Sequence, residues 1–180
     1  MDLFLWQLAR ASGLAAYAAL CIAVLTGLAP RTQLLGFLAT NRAVRALHDF
    51  TPWIVIPAAL THIVALLLDA TARVSMFDVF VPFRMGYGTL AIGLGTLSLD
   101  LLVIVLVTTW LRKRMRNGAW QWFHRLSYVG FVTTFLHAVL SGTDLTSPVI
   151  SALSWAAMLA VGYFSLERAG QALVPARARA

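Results

Sequence analysis

The residues best suited to chemistry in this chain are its four histidines, His48, His62, His124 and His137. An imidazole can give a nitrogen lone pair to a metal, or relay a proton near neutral pH. His48 and His62 are 14 residues apart, and His124 and His137 are 13 apart. On a helix, 14 residues rise about 21 Å and leave a net rotation of about 40°. All four therefore cannot share one metal ion, whose ligands sit at about 2 Å. The spacing suits two separate sites stacked along two helices, each taking one histidine from each helix. A lone helical histidine is ordinarily a packed or hydrogen-bonded core residue; four, paired in depth, form a ligand set. A b-type haem fits between two such imidazoles, because its porphyrin is apolar and its iron takes two axial nitrogens. Two haems about 20 Å apart would make an electron path.

The elements that must carry these histidines are membrane helices. Of the 180 residues, 60% are apolar and 12% charged, and the mean hydropathy is +0.80. A soluble domain carries about twice that share of charge. The composition excludes disorder and a coiled coil, the single Cys21 excludes a disulfide scaffold, and no room remains for a soluble nucleotide-binding domain. Five apolar segments have spanning length, over about 4–28, 43–68, 86–111, 119–140 and 149–166. Backbone groups in lipid must pair internally, and these continuous runs exceed barrel strands, so an all-α bundle in a single transmembrane domain is expected. The first segment opens Met-Asp with no basic stretch and is expected to remain rather than be cleaved as a signal peptide.

The net charge of +7 reads as topology and not as nucleic-acid binding. Arg31, Arg42 and Arg45 follow the first segment. Arg112, Lys113, Arg114 and Arg116 follow the third, with Arg125 near them, and Arg168, Arg177 and Arg179 end the chain. The opposite side holds Arg10, Arg73 and Arg84. Lys and Arg favour the cytoplasmic side, which puts the N-terminus outside and the C-terminus inside a multi-pass cell-membrane protein. The second and fourth spans then run parallel, so His48 pairs with His124 at the inner level and His62 with His137 at the outer one. Two features resist an ideal helix. Thirteen residues place His124 and His137 about 140° apart, which predicts a 3₁₀ stretch or other distortion between them. Pro52 and Pro57 remove the hydrogen bonds to the carbonyls of His48 and Trp53, which predicts a bend between His48 and His62. A short interfacial piece is expected over 76–80, and the tail from Val174 to Ala180 is expected to fray.

These residues resemble the ferric reductase-like transmembrane domain family. Its carriers here are Arg45-Ala46-Leu47-His48, Thr61-His62, Val81-Pro82-Phe83, and the basic turn Leu111-Arg112-Lys113-Arg114. Next comes Trp120-Gln121-Trp122-Phe123-His124-Arg125-Leu126-Ser127-Tyr128, then His137-Ala138 and Gly142-Thr143-Asp144. The resemblance covers about 42–144 and implies two haem b groups moving electrons from inside to outside. Family members with longer chains carry a C-terminal flavin and nicotinamide domain. Here that domain is expected to be absent, with a separate flavoprotein reductase or a quinone as donor, and FMN or FAD is not indicated by the sequence. A second reading within the same superfamily is the haem subunit of a methionine sulfoxide reductase system. A reading of another class is a non-haem helical transporter or scaffold.

Arg45 and Arg125 neighbour the inner histidines and Arg84 lies near the outer surface. All three are candidate partners for haem propionates, since Arg binds carboxylates as a fork. Topology alone also accounts for Arg45 and Arg125. The string Gly86-Tyr87-Gly88-Thr89-Leu90-Ala91 follows no strand, so it reads as a close-packing face with Gly93 and Gly95, or as room for a flat haem edge. Asp100 is either a hydrogen-bonded or protonated residue facing the bundle or part of a proton or cation route. Trp53, Trp110, Trp120, Trp122 and Trp155 read as interface anchors or packing.

Overall fold

The computed structural model of the chain describes residues 2–29 and 41–173. Arg31, Arg177, Arg179 and the tail over 174–180 lie outside the described residues. Seven α-helices follow in order: α1 (Leu3–Leu28), α2 (Asn41–Phe50), α3 (Pro52–Leu68), α4 (Met76–Phe80), α5 (Thr89–Trp110), α6 (Asn117–Ser141) and α7 (Pro148–Leu173). Short 3₁₀ turns at Arg112–Arg114 and Thr143–Thr146 flank α6. No strand occurs among the described residues.

Among the described residues four stretches are long and apolar enough to cross a membrane: α1, the run Asn41–Leu68 through α2 and α3, α5, and Pro148–Gly170 of α7. The fourth expected span, α6, has the length, at 25 residues, but not the hydropathy, because Gln121, His124, Arg125 and His137 dilute its apolar run. Exposed Trp53, Trp110, Leu159 and Leu166 face outward, where an apolar surround would take them.

Local chemistry sets the helix ends. Asp2 caps α1, its carboxylate accepting from the Phe4 and Leu5 amides at 3.0 and 3.3 Å. Gly88 starts α5 with φ +54°, a left-handed conformation that glycine adopts without steric cost. The predicted interfacial piece is α4. Its first turn is fixed by Asp78, which accepts from the Ser75 amide at 2.9 Å. Helix α7 runs seven residues past its predicted end at 166, because its polar last turns continue the helix beyond the apolar run.

Where a bend was predicted in the second span, the helix is interrupted at Thr51, between α2 and α3, while Pro57 lies inside the continuous α3. Pro52 has no N–H to give the His48 carbonyl. The Thr51 hydroxyl supplies that bond instead, at 3.1 Å, and Thr51 is 1% exposed. The distortion predicted in the fourth span is absent: α6 is unbroken α-helix through both histidines. Both histidines nonetheless reach their partners from that continuous helix.

Helix α1 packs along α3, and α5 along α6. The histidine-bearing helices α2–α3 and α6 do not pack closely on each other. A central apolar layer of Tyr17, Leu20, Val24, Phe131, Phe135 and Val161 joins α1, α6 and α7. Phe131 is fully buried and stacks on Tyr17 at 6.5 Å between ring centres. At one end of the bundle Arg10 of α1 forks onto Asp144 after α6, its Nε donating at 3.0 Å. That bond holds the Asp144 carboxyl below the usual carboxylate range. The tie therefore stands at neutral pH and is lost only as pH falls through the lowered value.

Thr51→Val keeps the shape of a buried side chain but orphans the His48 carbonyl. It should lower unfolding stability by about 1–2 kcal/mol, measured by denaturant titration in mixed micelles; an unchanged midpoint would remove the hydroxyl from this role.

Candidate functional site

The four histidines form two pairs. His48 of α2 faces His124 of α6 with ring centres 6.1 Å apart and planes at 79°. His62 of α3 faces His137 of α6 at 6.4 Å and 78°. The two parallel segments thus meet at two levels, with the Tyr17–Phe131 layer in the same bundle.

Three of the four rings are held by one device. His62 Nδ1 lies 2.7 Å from the Ala9 carbonyl, His48 Nδ1 2.8 Å from the Ala23 carbonyl, and His137 Nδ1 2.8 Å from the Ala91 carbonyl. Four residues after each carbonyl comes a glycine. A Cβ on Gly13 would stand 2.8 Å from His62 Nδ1, one on Gly27 3.0 Å from His48 Cε1, and one on Gly95 2.7 Å from His137 Nδ1. Helix Cβ atoms tilt toward the N-terminus, so a side chain at that position would cover the carbonyl. The sequence Ala-x-x-x-Gly therefore presents a carbonyl and clears space for the ring that donates to it.

This contact fixes the tautomer. A carbonyl oxygen only accepts, so each of these Nδ1 atoms carries the proton, and in a neutral ring Nε2 is left as a bare lone pair. His62 and His137 are both fixed this way. Neither Nε2 can donate to the other, so the pair offers two acceptor nitrogens.

His124 differs. Its Nδ1 is buried without a hydrogen-bond partner. Its ring stacks on Trp120, one turn earlier, at 5.0 Å and 25°, and the Arg112 guanidinium lies 4.1 Å over the Trp120 ring. Trp120, expected as an anchor or packing residue, is thus a support for a histidine.

The ring separation has two physical readings. Edge-to-face aromatic pairs occur at about 4.5–7 Å. Two imidazoles bound to one metal from opposite sides, at about 2.0–2.1 Å per bond, place their ring centres about 6.3 Å apart, whereas tetrahedral ligation brings them to about 5 Å. The ring C–H groups suffice for an edge-to-face contact, and the Nδ1 bonds leave the Nε2 lone pairs of His62 and His137 free to coordinate, so the separation fits both arrangements. Among the described residues no cluster of three or more His, Cys, Asp or Glu side chains could hold a metal ion. A metal between a pair would receive two protein nitrogens and take its other ligands from elsewhere.

A cavity of about 540 Å³ opens beside the His62–His137 pair, within the range of cofactor sites. Gly13, Leu99, Leu102 and Ala138 are among its mostly apolar walls, and the cation lining it, among the described residues, is Arg10. The three arginines expected as propionate contacts lie off these walls. Arg84 pairs with Asp78 at 3.4 Å and lies over Phe77, while Arg45 and Arg125 are exposed. Gly93 admits the Phe83 ring and Gly95 the His137 ring, as expected, but Gly86 has nothing within 4 Å and Gly88 meets only Ile92 of its own helix, so the expected close-packing face is limited to the two later glycines. Asp100 is half-buried.

The fold and site define an all-helical bundle built around paired histidines. The chain belongs to a domain family of unknown function, DUF8596, whose model matches residues 4–144. That span encloses all four histidines, the three Ala-x-x-x-Gly supports and the Arg10–Asp144 tie. Neither a curated protein nor a solved structure matches the chain.

Gly95→Ala should drive the His137 ring off the Ala91 carbonyl and cost about 1–3 kcal/mol of stability. Gly162→Ala, with nothing near its Cβ position, should be neutral or gain up to about 1 kcal/mol. Unfolding curves of the two variants compare the effects; equal midpoints would mean the glycine is not a cradle.

Proposed function

We propose that this chain is a membrane-embedded electron-transfer protein holding two b-type haems, one per histidine pair. The observation that carries the reading is the pairing of His62 with His137 at 6.4 Å between ring centres, with both Nδ1 atoms engaged by carbonyls so that each Nε2 would be free to hold an iron. The loose approach of α2–α3 to α6 supports it, because a flat macrocycle needs such a slot.

Bis-histidine haem exchanges single electrons and offers no open iron position to oxygen. The chain's own residues then have definite tasks. His48 and His124 would hold one haem iron, and His62 and His137 the other. The Nδ1–H bonds to Ala9, Ala23 and Ala91 orient three rings and strengthen their Nε2 donors. The Tyr17–Phe131 layer keeps the interior apolar. Arg10 on the cavity wall is the cation best placed to meet a propionate there.

In this reading α6 is a fifth span whose two histidines face the bundle, with exposed Gln121 and Arg125 toward its first end. Arg42, Arg45, Arg112, Lys113, Arg114, Arg116 and Arg168 belong to the cytoplasmic end, and the His62–His137 level lies toward the outside. The activity is that of a ferric reductase-like membrane component. A cytoplasmic flavoprotein or a quinone donates electrons, and an acceptor outside receives them.

Purified chain, reconstituted to saturation, should carry about two low-spin haems by pyridine haemochrome analysis; saturation at one or none would sink the two-site reading. His48→Ala and His124→Ala should share one spectral phenotype, and His62→Ala and His137→Ala another. In cells, a reporter fused after Ala180 should be cytoplasmic, and a cysteine at Asp144 should label from outside; the reverse pattern would invert the proposed direction.

A further inference from the structure

Asp100 stands at the middle of α5, a helix of 22 residues. It makes no hydrogen bond or ion pair with any described residue. Nor does it line the cavity beside His62 and His137.

Helix periodicity sets the side it occupies. Ala91, Gly95 and Leu102 of α5 meet α6, at the His137 ring and at Gly130. Five residues beyond Gly95 the helix has turned about 140°, so Asp100 lies on the side away from α6. Gly93, Thr96, Ile104 and Val107 share that side with it, at spacings of three, four and seven residues. The first half of this side is covered. The Phe83 ring fills the space at Gly93, and the Thr96 hydroxyl donates to the Asp78 carbonyl of α4 at 2.9 Å. The second half is bare: Ile104 is 39% exposed, Val107 47%, and neighbouring Val103 48%. Half-buried Asp100 sits where the cover stops.

An ionisable side chain at the middle of a membrane helix is costly against lipid, and such groups are found paired. No described residue supplies the partner, so it comes from outside the bundle and at the same depth. A protonated carboxyl has one donor and one acceptor, which makes it its own complement. A second copy related by a two-fold axis along the membrane normal brings the same residue to the same depth. On this face it brings no cation, because α5 carries no Lys or Arg, and a neutral pair needs none. We propose that the second half of α5 is the contact between two copies of this chain, with the two Asp100 carboxyls hydrogen-bonded to each other and Ile104 and Val107 packed beside them. Hydrogen bonds of this kind join helices in lipid, where apolar burial gives no drive. The His62–His137 pair lies on the other side of α5, so each copy keeps its own site. The proposal rests on the membrane placement of α5 and is independent of the haem reading.

The test uses the purified full chain in phosphatidylcholine vesicles. Two pools carry donor and acceptor dyes, and energy transfer is followed as the protein is diluted in lipid. The native chain should associate as a dimer. Asp100→Leu keeps the face apolar but removes the pair, and should weaken association about tenfold. Asp100→Asn, whose amide both donates and accepts, should stay within about threefold of native. Disulfide trapping gives a second measurement that leaves Asp100 in place. With the single native cysteine removed as Cys21→Ala, Ile104→Cys or Val107→Cys should trap a dimer on mild oxidation. Leu159→Cys, on the exposed side of α7, should not. A monomeric native chain, an Asp100→Leu variant that dimerises as tightly as native, or equal trapping through Leu159→Cys would overturn the proposal. Asp100→Asn falling as far as Asp100→Leu would overturn the neutral carboxyl pair. A chain that carbonate washing strips from the vesicles would overturn the membrane placement itself.

Discussion

The bond from an imidazole Nδ1–H to the carbonyl of a neighbouring helix is the contact on which the arrangement depends. A helix carbonyl already accepts from the amide four residues later, but its oxygen has a second lone pair. That lone pair is normally covered by the side chain at the same later position. Removing the side chain gives the ring access, and the close approach then fixes how the helices sit. Gly13 and Gly27 set α1 against α3 and α2, and Gly95 sets α5 against α6. The same contact decides the tautomer. A structural bond and the availability of Nε2 for coordination are thus one event, and Ala at any of the three glycines would disturb both.

The helical class and the histidine levels were legible from hydropathy, from the 14- and 13-residue spacings and from the distribution of Arg and Lys. The supports were not, because a glycine in an apolar helix reads as general close packing. A signal was present. Gly13 and Gly27 are 14 residues apart, as are His48 and His62, and an antiparallel neighbour with an equal period can meet both rings. The predicted distortion of α6 failed because it came from the azimuth of Cα atoms on one ideal helix, while an imidazole reaches several ångströms beyond its backbone. Thr51 was invisible for another reason: its value appears only once Pro52 has orphaned a particular carbonyl. Arg84 was expected to meet a haem carboxylate. It found Asp78, which the short α4 capping turn had already brought within reach.

The less apolar character of α6 is the other side of the same design. A helix in lipid would carry His124, Arg125, Gln121 and His137 at high cost. A helix enclosed by neighbours on several sides can direct part of that polarity inward. Helix α6 packs on α5, α1 and α7, and Phe131 and Phe135 between its two histidines are among the most buried side chains described. The polar residues at its ends and the aromatic layer at its middle divide one helix into two polar levels and an apolar partition.

Helix α1 treats both levels alike. Ala9 with Gly13 and Ala23 with Gly27 give His62 and His48 the same carbonyl, the same clearance and the same tautomer. Helix α5 seats the His137 ring through Ala91 and Gly95, whereas His124 Nδ1 is buried without a hydrogen-bond partner. One half of each pair is therefore held identically and the other half is not. Any functional difference between the levels that arises from histidine support must enter through α6 and its contacts with α5.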